Sequence, residues 1–358
     1  MAKQYYASRT PGKFGVYFGE YINCQKMLQG PGQLFKGFQS EAAARSFVHK
    51  YSESLSTSDS LILSAQPQDL PQEICHGILS LFGVDQMKEL SQEQLLSLTR
   101  AFEGAYDGEK PVDYRGKTEE YAMIYLPVNM YKIWIPLRKL LAAHCLPTDC
   151  SELKKMVPIR VLELGAGPGT STFGFLDFYK LLAFENPGTE FAINYNIVEL
   201  EQDFEHVFET LKNAYLKTLP SNLRVTIQRT IQRDAENHML YCGGMNYDLI
   251  IESNMVNSSE HHQTDYQERM ITDIISALRP GGFSILIEPG TNSNIAYLND
   301  LLSNNADNIW QAPEKGTCSM EKNSLYKEQC NFRIRRPGRY QHWMSSCILT
   351  KPFKEMAL

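Results

Sequence analysis

The residues with the plainest chemical content lie in VLELGAGPGTST, Val161 to Thr172. An apolar run carries one acid, Glu163, and leads into Gly165, Ala166, Gly167, Pro168 and Gly169. Glycines let a turn bring backbone close to a ligand. A phosphate-cradling P-loop needs a Lys after its last glycine, and none follows here. A dinucleotide turn spaces its glycines G-x-G-x-x-G, whereas this one reads G-x-G-x-G. A carboxylate before the turn adds little to phosphate binding. It suits a ligand with a positively charged amino acid moiety.

Other polar residues fall at intervals that fit one site. Glu199 closes the apolar run NIVEL, and an acid at such a strand end can accept both hydroxyls of a ribose. Asp234, in QRDAEN, follows the next apolar run. Glu252, Asn254, Asn257 and the pair His261-His262 follow DLII. A histidine there can act as a general base, or the pair can simply occupy an exposed loop at a helix start. No cysteine at a fitting strand end offers a nucleophile for cytosine chemistry. SNMVNSS lacks the Asn/Asp-Pro-Pro-aromatic pattern that suits an exocyclic adenine nitrogen.

The elements that must position these residues alternate. IRVLELG, FAINYNIVEL, LRVTIQR, NYDLIIESNMV and FSILIEP read as strands. The stretch after Gly169, EQDFEHVFETLKNAYLK and YQERMITDIISALR read as helices between them. Such alternation predicts an α/β domain with a mainly parallel sheet over residues 158–358. Residues 63–157 read as helical: PQEICHGILSLFG opens on Pro and ends on Gly, and SQEQLLSLTRAFEGA carries its own cap. TEEYAMIYLPVNMYKIWIPLRKLLAAH has a helical pattern that Pro127 and Pro136 should kink or break. The serine-rich residues 52–62 read as a linker. Residues 1–51 read as a small α+β unit: YYASR and FGVYFGEY are strands, LFKGF is a third, and SEAAARSFVHKY is a helix.

Taken in order, the glycine turn, Glu199 and the Pro-Gly-Gly turn in LRPGGFSILIEPGT resemble class I S-adenosylmethionine-dependent methyltransferases. The likeness runs from about Pro158 to Lys351. It implies a Rossmann-like seven-stranded sheet and S-adenosyl-L-methionine as cofactor. It also implies a cofactor contact set of Glu163, Gly165, Ala166, Gly167, Gly169, Glu199, Asp234 and Glu252. Catalytic candidates are Glu252, Asn254 and His261. The kinked helix, IEPGTNSNIAYLNDLL and QAPEKGTCSMEKNSLYKEQCNFRIRRPGRY resemble more narrowly the methyltransferase-like proteins of the mitochondrial small ribosomal subunit and their bacterial relatives. Some of those hold an iron–sulfur cluster on four cysteines. Here Glu314 stands at the first position, Cys318 and Cys330 fit the next two, and no fourth is clear. Two ligands are too few for a cluster or a structural zinc, so no metal is expected.

The resemblance of residues 4–51 is to the hybrid-binding domain at the N-terminus of eukaryotic ribonuclease H. It rests on Tyr-Ala-x-Arg, Gly-Val-Tyr, Phe-Lys-x-Phe and the Ala-rich final helix. It implies a grip on duplex RNA or an RNA–DNA hybrid by Tyr6, Arg9, Lys13, Tyr21 and Lys36, with Gly37 where the family has a second lysine. Alternate strand aromatics such as Tyr5 and Tyr17 must instead form the unit's core.

Charge agrees with that reading. The chain's formal charge is −6, yet residues 1–50 carry seven Lys/Arg and two acids. A basic unit on an acidic body suits a polyanionic partner. Arg333, Arg335, Arg336 and Arg339 suit phosphate contacts or a solvated edge strand equally.

Composition excludes other classes. Hydrophobic residues make up 43% of the chain, enough for a core. No apolar run approaches the roughly 18 residues that span a bilayer. The eight cysteines form no C-x-x-C pair and read as reduced thiols. With no apolar leader and no clear transit peptide, the expected compartment is the cytoplasm, with the nucleus open and the mitochondrion less favoured.

Three functions remain open on the sequence. One is a methyltransferase acting on structured RNA that the basic unit delivers. Another is a non-catalytic RNA-binding or ribosome-assembly factor that keeps the fold and meets a ribonucleoprotein. The third is a small-molecule methyltransferase, which leaves the first 50 residues unexplained.

Overall fold

The structure, a computed structural model, describes residues 4–8, 15–20, 24, 35–40, 44, 57–86, 89–100, 115–143, 145–146, 158–231, 247–254, 264–320 and 340–351. Arg9, Lys13, Tyr21, Asp234, Asn257, His261, His262, Cys330, Arg333, Arg335, Arg336 and Arg339 lie outside the described residues.

The three N-terminal strands form as their aromatic alternation predicts. β1 (Gln4–Ser8) pairs antiparallel with both β2 (Gly15–Gly19) and β3 (Phe35–Phe38). Tyr6, Ala7, Cys24 and Ala44 are buried there, and Tyr6 and Cys24 form a small cluster with Tyr17 packed against it.

Helices α1 (Thr57–Ser64), α2 (Gln72–Leu81), α3 (Gln92–Arg100), α4 (Thr118–Asn129) and α5 (Trp134–Ala142) follow. The predicted caps hold. Ser91 Oγ accepts from the Gln94 amide at 3.1 Å, and the Gln94 side chain accepts from the Ser91 amide at 2.8 Å. Gly83 takes φ +67° just past α2, where a left-handed residue ends a helix.

Two expectations are corrected here. The stretch read as linker, residues 52–62, is helical from Thr57, because Ile62 is drawn into the core and Ser58 Oγ donates to Glu185 O at 3.0 Å. Tertiary burial overrides a sequence with no apolar period. The proline-bearing helix does break, but not at Pro127, which lies inside α4. The break is a 3₁₀ turn, Met130–Ile133, just ahead of α5. Pro136 then falls in the first turn of α5, where its missing N–H is tolerated.

The α/β alternation gives one seven-stranded sheet. In chain order it contains β4 (Ile159–Leu164), α6 (Thr170–Glu185), β5 (Phe191–Glu199), α7 (Phe204–Tyr215), β6 (Leu223–Ile231), β7 (Tyr247–Ser253), α8 (Thr264–Ala277), β8 (Leu278–Pro289), α9 (Asn292–Leu301), β9 (Ile309–Met320) and β10 (Tyr340–Thr350). The spatial order is β6-β5-β4-β7-β8-β10-β9. β4 to β8 run parallel, and β10 runs antiparallel to β8 and β9. This is a mainly parallel Rossmann-like α/β fold, as expected for residues 158–358. β4, flanked on both sides and covered on both faces, is buried at every position but Arg160.

One face of the sheet and the helices α1, α2, α4 and α5 share a single apolar core, which includes Ile62, Ile78, Leu126, Trp134, Phe175 and Phe178. α8 and α9 cover the opposite face through Met270, Ile274 and Leu301. The chain leaves β4 toward β5 and β6, then returns to β7 on the other side. In open α/β sheets, ligands bind at that reversal, outside the carboxyl ends of the strands.

Candidate functional site

The glycine turn sits at this reversal. Gly165, Gly167 and Gly169 take φ of +65°, +53° and +92°, a backbone region that L side chains rarely adopt. Gly169 is held twice over: a Cβ there would lie 2.6 Å from the Phe173 ring and 2.8 Å from the Phe208 ring. The turn therefore packs closely against α6 and α7. α6 starts at Thr170, so the positive end of its dipole lies at the turn.

Glu199 ends β5 beside the turn. Its Oε2 accepts from the Gly167 amide at 2.6 Å, and its Oε1 accepts from the Glu201 amide at 2.9 Å. A carboxylate has about four acceptor positions, so two remain for a vicinal diol. The next residue, Leu200, is an apolar side chain 62% exposed, directly after Glu199. Cradle, acceptor and apolar platform together fit an adenosyl group.

Glu163 does not open onto the crevice as expected. It is 1% exposed. Its Oε2 accepts from Thr172 Oγ1 at 2.5 Å and from the Tyr195 hydroxyl at 2.6 Å. It thus ties β4 to α6 and β5. Burial, more than any other cause, pushes its carboxyl up to about 7, with Thr172, Tyr195 and Arg229 opposing and Glu199 adding to the rise.

Glu252 is buried as well. Strand alternation places it on the sheet face opposite Glu163: Glu163 pairs with Ile251, while Glu252 pairs with Leu164 and Leu286. Its side chain is fully buried. Buried Glu288 lies two residues beyond Leu286 on that same face, and burial first, then Glu288, Glu252 and Asp300, push the Tyr297 phenol up to about 12.

Asn254 is better placed. It is the one non-glycine residue with positive φ among the described residues, at +58°, directly after β7. Its amide donates to Ile287 O at 2.7 Å, and its Nδ2 donates to Ser253 Oγ at 3.0 Å. Such backbone at a sheet reversal is the geometry in which functional residues are held.

Sequence reasoning missed Arg229. It sits on β6 with a side chain only 4% exposed. Its Nη2 donates to Gly167 O at 2.9 Å, its Nε is 3.3 Å from Glu205 Oε2, and its guanidinium lies 4.4 Å over the Phe208 ring. The available signal was parity: Arg229 falls in phase with Leu223, Val225 and Ile227, the inward face of its strand.

On the N-terminal sheet, Tyr6 is a core residue. It is 1% exposed, and its hydroxyl accepts from Gln4 Nε2 at 2.6 Å. The expected nucleic-acid contact by Tyr6 is thereby corrected, since the small core of this unit consumes the ring. Lys36 is exposed, its Nζ 5.6 Å over the Phe38 ring. A Cβ on Gly37 would lie 2.9 Å from Gln4 Nε2, so a side chain there has no room without displacing Gln4. Cys318 lies on β9, and among the described residues no group of three His, Cys, Asp or Glu could hold a metal ion. No helix among the described residues is long and apolar enough to cross a membrane.

No family model matches the chain. A 201-residue stretch is 25% identical to a probable polyketide synthase of Dictyostelium discoideum, covering 55% of this chain and 8% of that protein's length. Among solved structures, a Methanosarcina mazei S-adenosylmethionine-dependent methyltransferase aligns at 12% identity and TM-score 0.35, over 55% of this chain and 94% of that one. The N-methyltransferase NodS of Bradyrhizobium japonicum, in complex with S-adenosyl-L-homocysteine, aligns at 10% identity and TM-score 0.32, over 61% and 88%.

Proposed function

We propose that the chain is a methyltransferase that binds S-adenosyl-L-methionine at the reversal of the sheet and acts on structured RNA. The observation that carries the cofactor reading is Glu199 bonded to Gly167, an acceptor pair set against a glycine cradle. Gly165, Gly167 and Gly169 would line the ligand, Glu199 would accept the ribose hydroxyls, and Leu200 would lie against the adenine ring. The N-terminus of α6 would take the carboxylate of the amino acid moiety. When bound, the cofactor supplies a methyl group on a positively charged sulfur. The chain's own task is then to orient the acceptor in line and keep water out. Asn254, with its constrained backbone beside the crevice, is the described residue best placed to orient an acceptor. A base, if one is needed, would come from His261.

The RNA part rests on the N-terminal unit. Its charge excess, exposed Lys36 and neighbouring Phe38 support sequence-independent phosphate contact. A ribonucleoprotein is the natural setting for such a pairing of modules.

A second reading, a small-molecule acceptor, is favoured by the match to a segment of a probable polyketide synthase. Calorimetry with S-adenosylmethionine tests the shared premise. Radiolabelled methyl transfer to total RNA, set against transfer to a small-molecule extract, separates the two readings. A chain that binds no cofactor would refute both and leave an RNA-binding scaffold.

A further inference from the structure

Arg229 occupies a place that a core residue has no need to fill. Leu223, Val225 and Ile227 precede it on the inward face of β6, and an apolar side chain would continue that row. The chain instead buries a guanidinium, which is costly unless the charge is matched. The charges of Glu199, Glu205, Glu163 and Glu209 favour it, and Glu205 pairs with it directly. Three contacts aim the guanidinium: Gly167 O at 2.9 Å, Glu205 Oε2 at 3.3 Å and the Phe208 ring at 4.4 Å. Its Nη1 is buried with no hydrogen-bond partner among the described residues.

The contact to Gly167 has a counterpart. The Gly167 carbonyl accepts from Arg229, while the Gly167 amide donates to Glu199 Oε2 at 2.6 Å. Both polar groups of this residue are therefore pinned, one by a cation on β6 and one by the acid that ends β5. At φ +53° Gly167 has backbone freedom to spare, and these two bonds remove it.

We infer that Arg229 is a positioning residue for the nucleoside ligand: by fixing the Gly167 peptide between itself and Glu199, it presets the carboxylate that receives the ribose hydroxyls. The inference rests on the cofactor reading above. Arg229 touches no ligand itself. It acts through the turn, and its removal leaves the cradle built but loose.

The experiment uses the full chain with Arg229→Met and Arg229→Lys, each alone and combined with Glu199→Gln. Amide hydrogen exchange of the ligand-free protein reads the Gly167 segment. Titration with S-adenosylhomocysteine reads affinity. In Arg229→Met, exchange at Gly167 should rise about tenfold while amides in β4 and β5 stay protected, and affinity should fall about tenfold. Arg229→Lys keeps the charge but lacks the planar fork, and should fall between the two. In the Glu199→Gln background the same Arg replacement should change affinity less than twofold, because the two residues act through one peptide. A merely structural role would loosen β4 and β5 together with the turn. Exchange and affinity within twofold of wild type would overturn the inference, as would losses that add fully to those of Glu199→Gln. If Arg229→Met fails to fold, Arg229→Lys carries the same two criteria. A wild-type chain that binds no S-adenosylhomocysteine overturns the cofactor reading and the ligand role with it. Gly167 exchange would then still report separately whether Arg229 pins the turn.

Discussion

A Cβ placed on Gly174 would lie 1.9 Å from the carbonyl oxygen of Met130. Helix α6 and the 3₁₀ turn that breaks the proline-bearing helix thus meet backbone to backbone. The Trp134 indole closes the contact by donating to Gly174 O at 2.9 Å. Its ring meets Phe178 edge-on at 5.4 Å. The helices ahead of the sheet are therefore keyed into α6, the helix that follows the glycine turn.

Gly174→Ala should accordingly destabilise the chain by about 3 kcal/mol, since neither backbone can yield without repacking Trp134. Gly188→Ala is the control. Nothing lies within 4 Å of a Cβ there, and its effect should stay within about 0.5 kcal/mol. Urea unfolding of both variants decides the matter, and equal midpoints would contradict the close contact.

This contact shows where the sequence was legible and where it was not. The strands of the sheet, the glycine turn and Glu199 could be read because each rests on a local signal: an apolar run, a run of glycines, an acid at a run's end. Gly174 gave no such signal. Its reason for being glycine lies 44 residues away in the chain, at Met130. α1 reads as linker because, of its side chains, Ile62 is buried in the core and Leu63 only partly packs against it, too few to give an apolar period. Glu163 and Glu252 were read together because both follow apolar runs. Only the register of β4 and β7 reveals that they leave the sheet on opposite faces. Arg229 was passed over because a buried cation looks like an ordinary strand arginine until its partners are seen.

Glu163 gives a pH signature. Its carboxyl is raised from 4.5 to about 7 in the fold, chiefly by burial. The folded chain therefore keeps a proton that the unfolded chain has already lost. Between about pH 4.5 and 7 stability should fall as pH rises, and above 7 the full penalty of about 3 kcal/mol applies. Glu163→Gln removes the titration while its amide oxygen can still accept from Thr172 and Tyr195. Relative to wild type, the variant should gain stability from pH 5 to pH 7.5. Unfolding free energies at pH 5, 6 and 7.5 test this, and parallel pH profiles would rule it out.

Glu199 and Leu200 should separate binding from folding. Glu199→Ala removes the acceptor for the ribose hydroxyls and should weaken S-adenosylhomocysteine binding at least tenfold. Leu200, 62% exposed, adds little to the core, so Leu200→Ala should leave the melting temperature nearly unchanged. Its affinity should still fall about fivefold through lost contact with an aromatic ring. Calorimetry alongside thermal melts checks both, and a Leu200→Ala protein that binds like wild type would place the adenine ring elsewhere.

The N-terminal unit should reveal itself through salt. Each phosphate neutralised by a lysine contributes about 0.7 to 0.9 to the slope of log affinity against log salt. Lys36 is exposed above the Phe38 ring, with its charge toward solvent. Lys36→Ala should lower the slope for duplex RNA by roughly one such increment. Adding Tyr21→Ala should cut affinity further with little change in slope, because an aromatic contact carries no counterions. Tyr6→Ala should instead unfold the unit, since that ring is its core. Fluorescence anisotropy with an RNA duplex and with an RNA–DNA hybrid, from 50 to 200 mM salt, measures all three. A double variant with wild-type slope and affinity would remove duplex binding from this surface and shift the case toward a small-molecule acceptor.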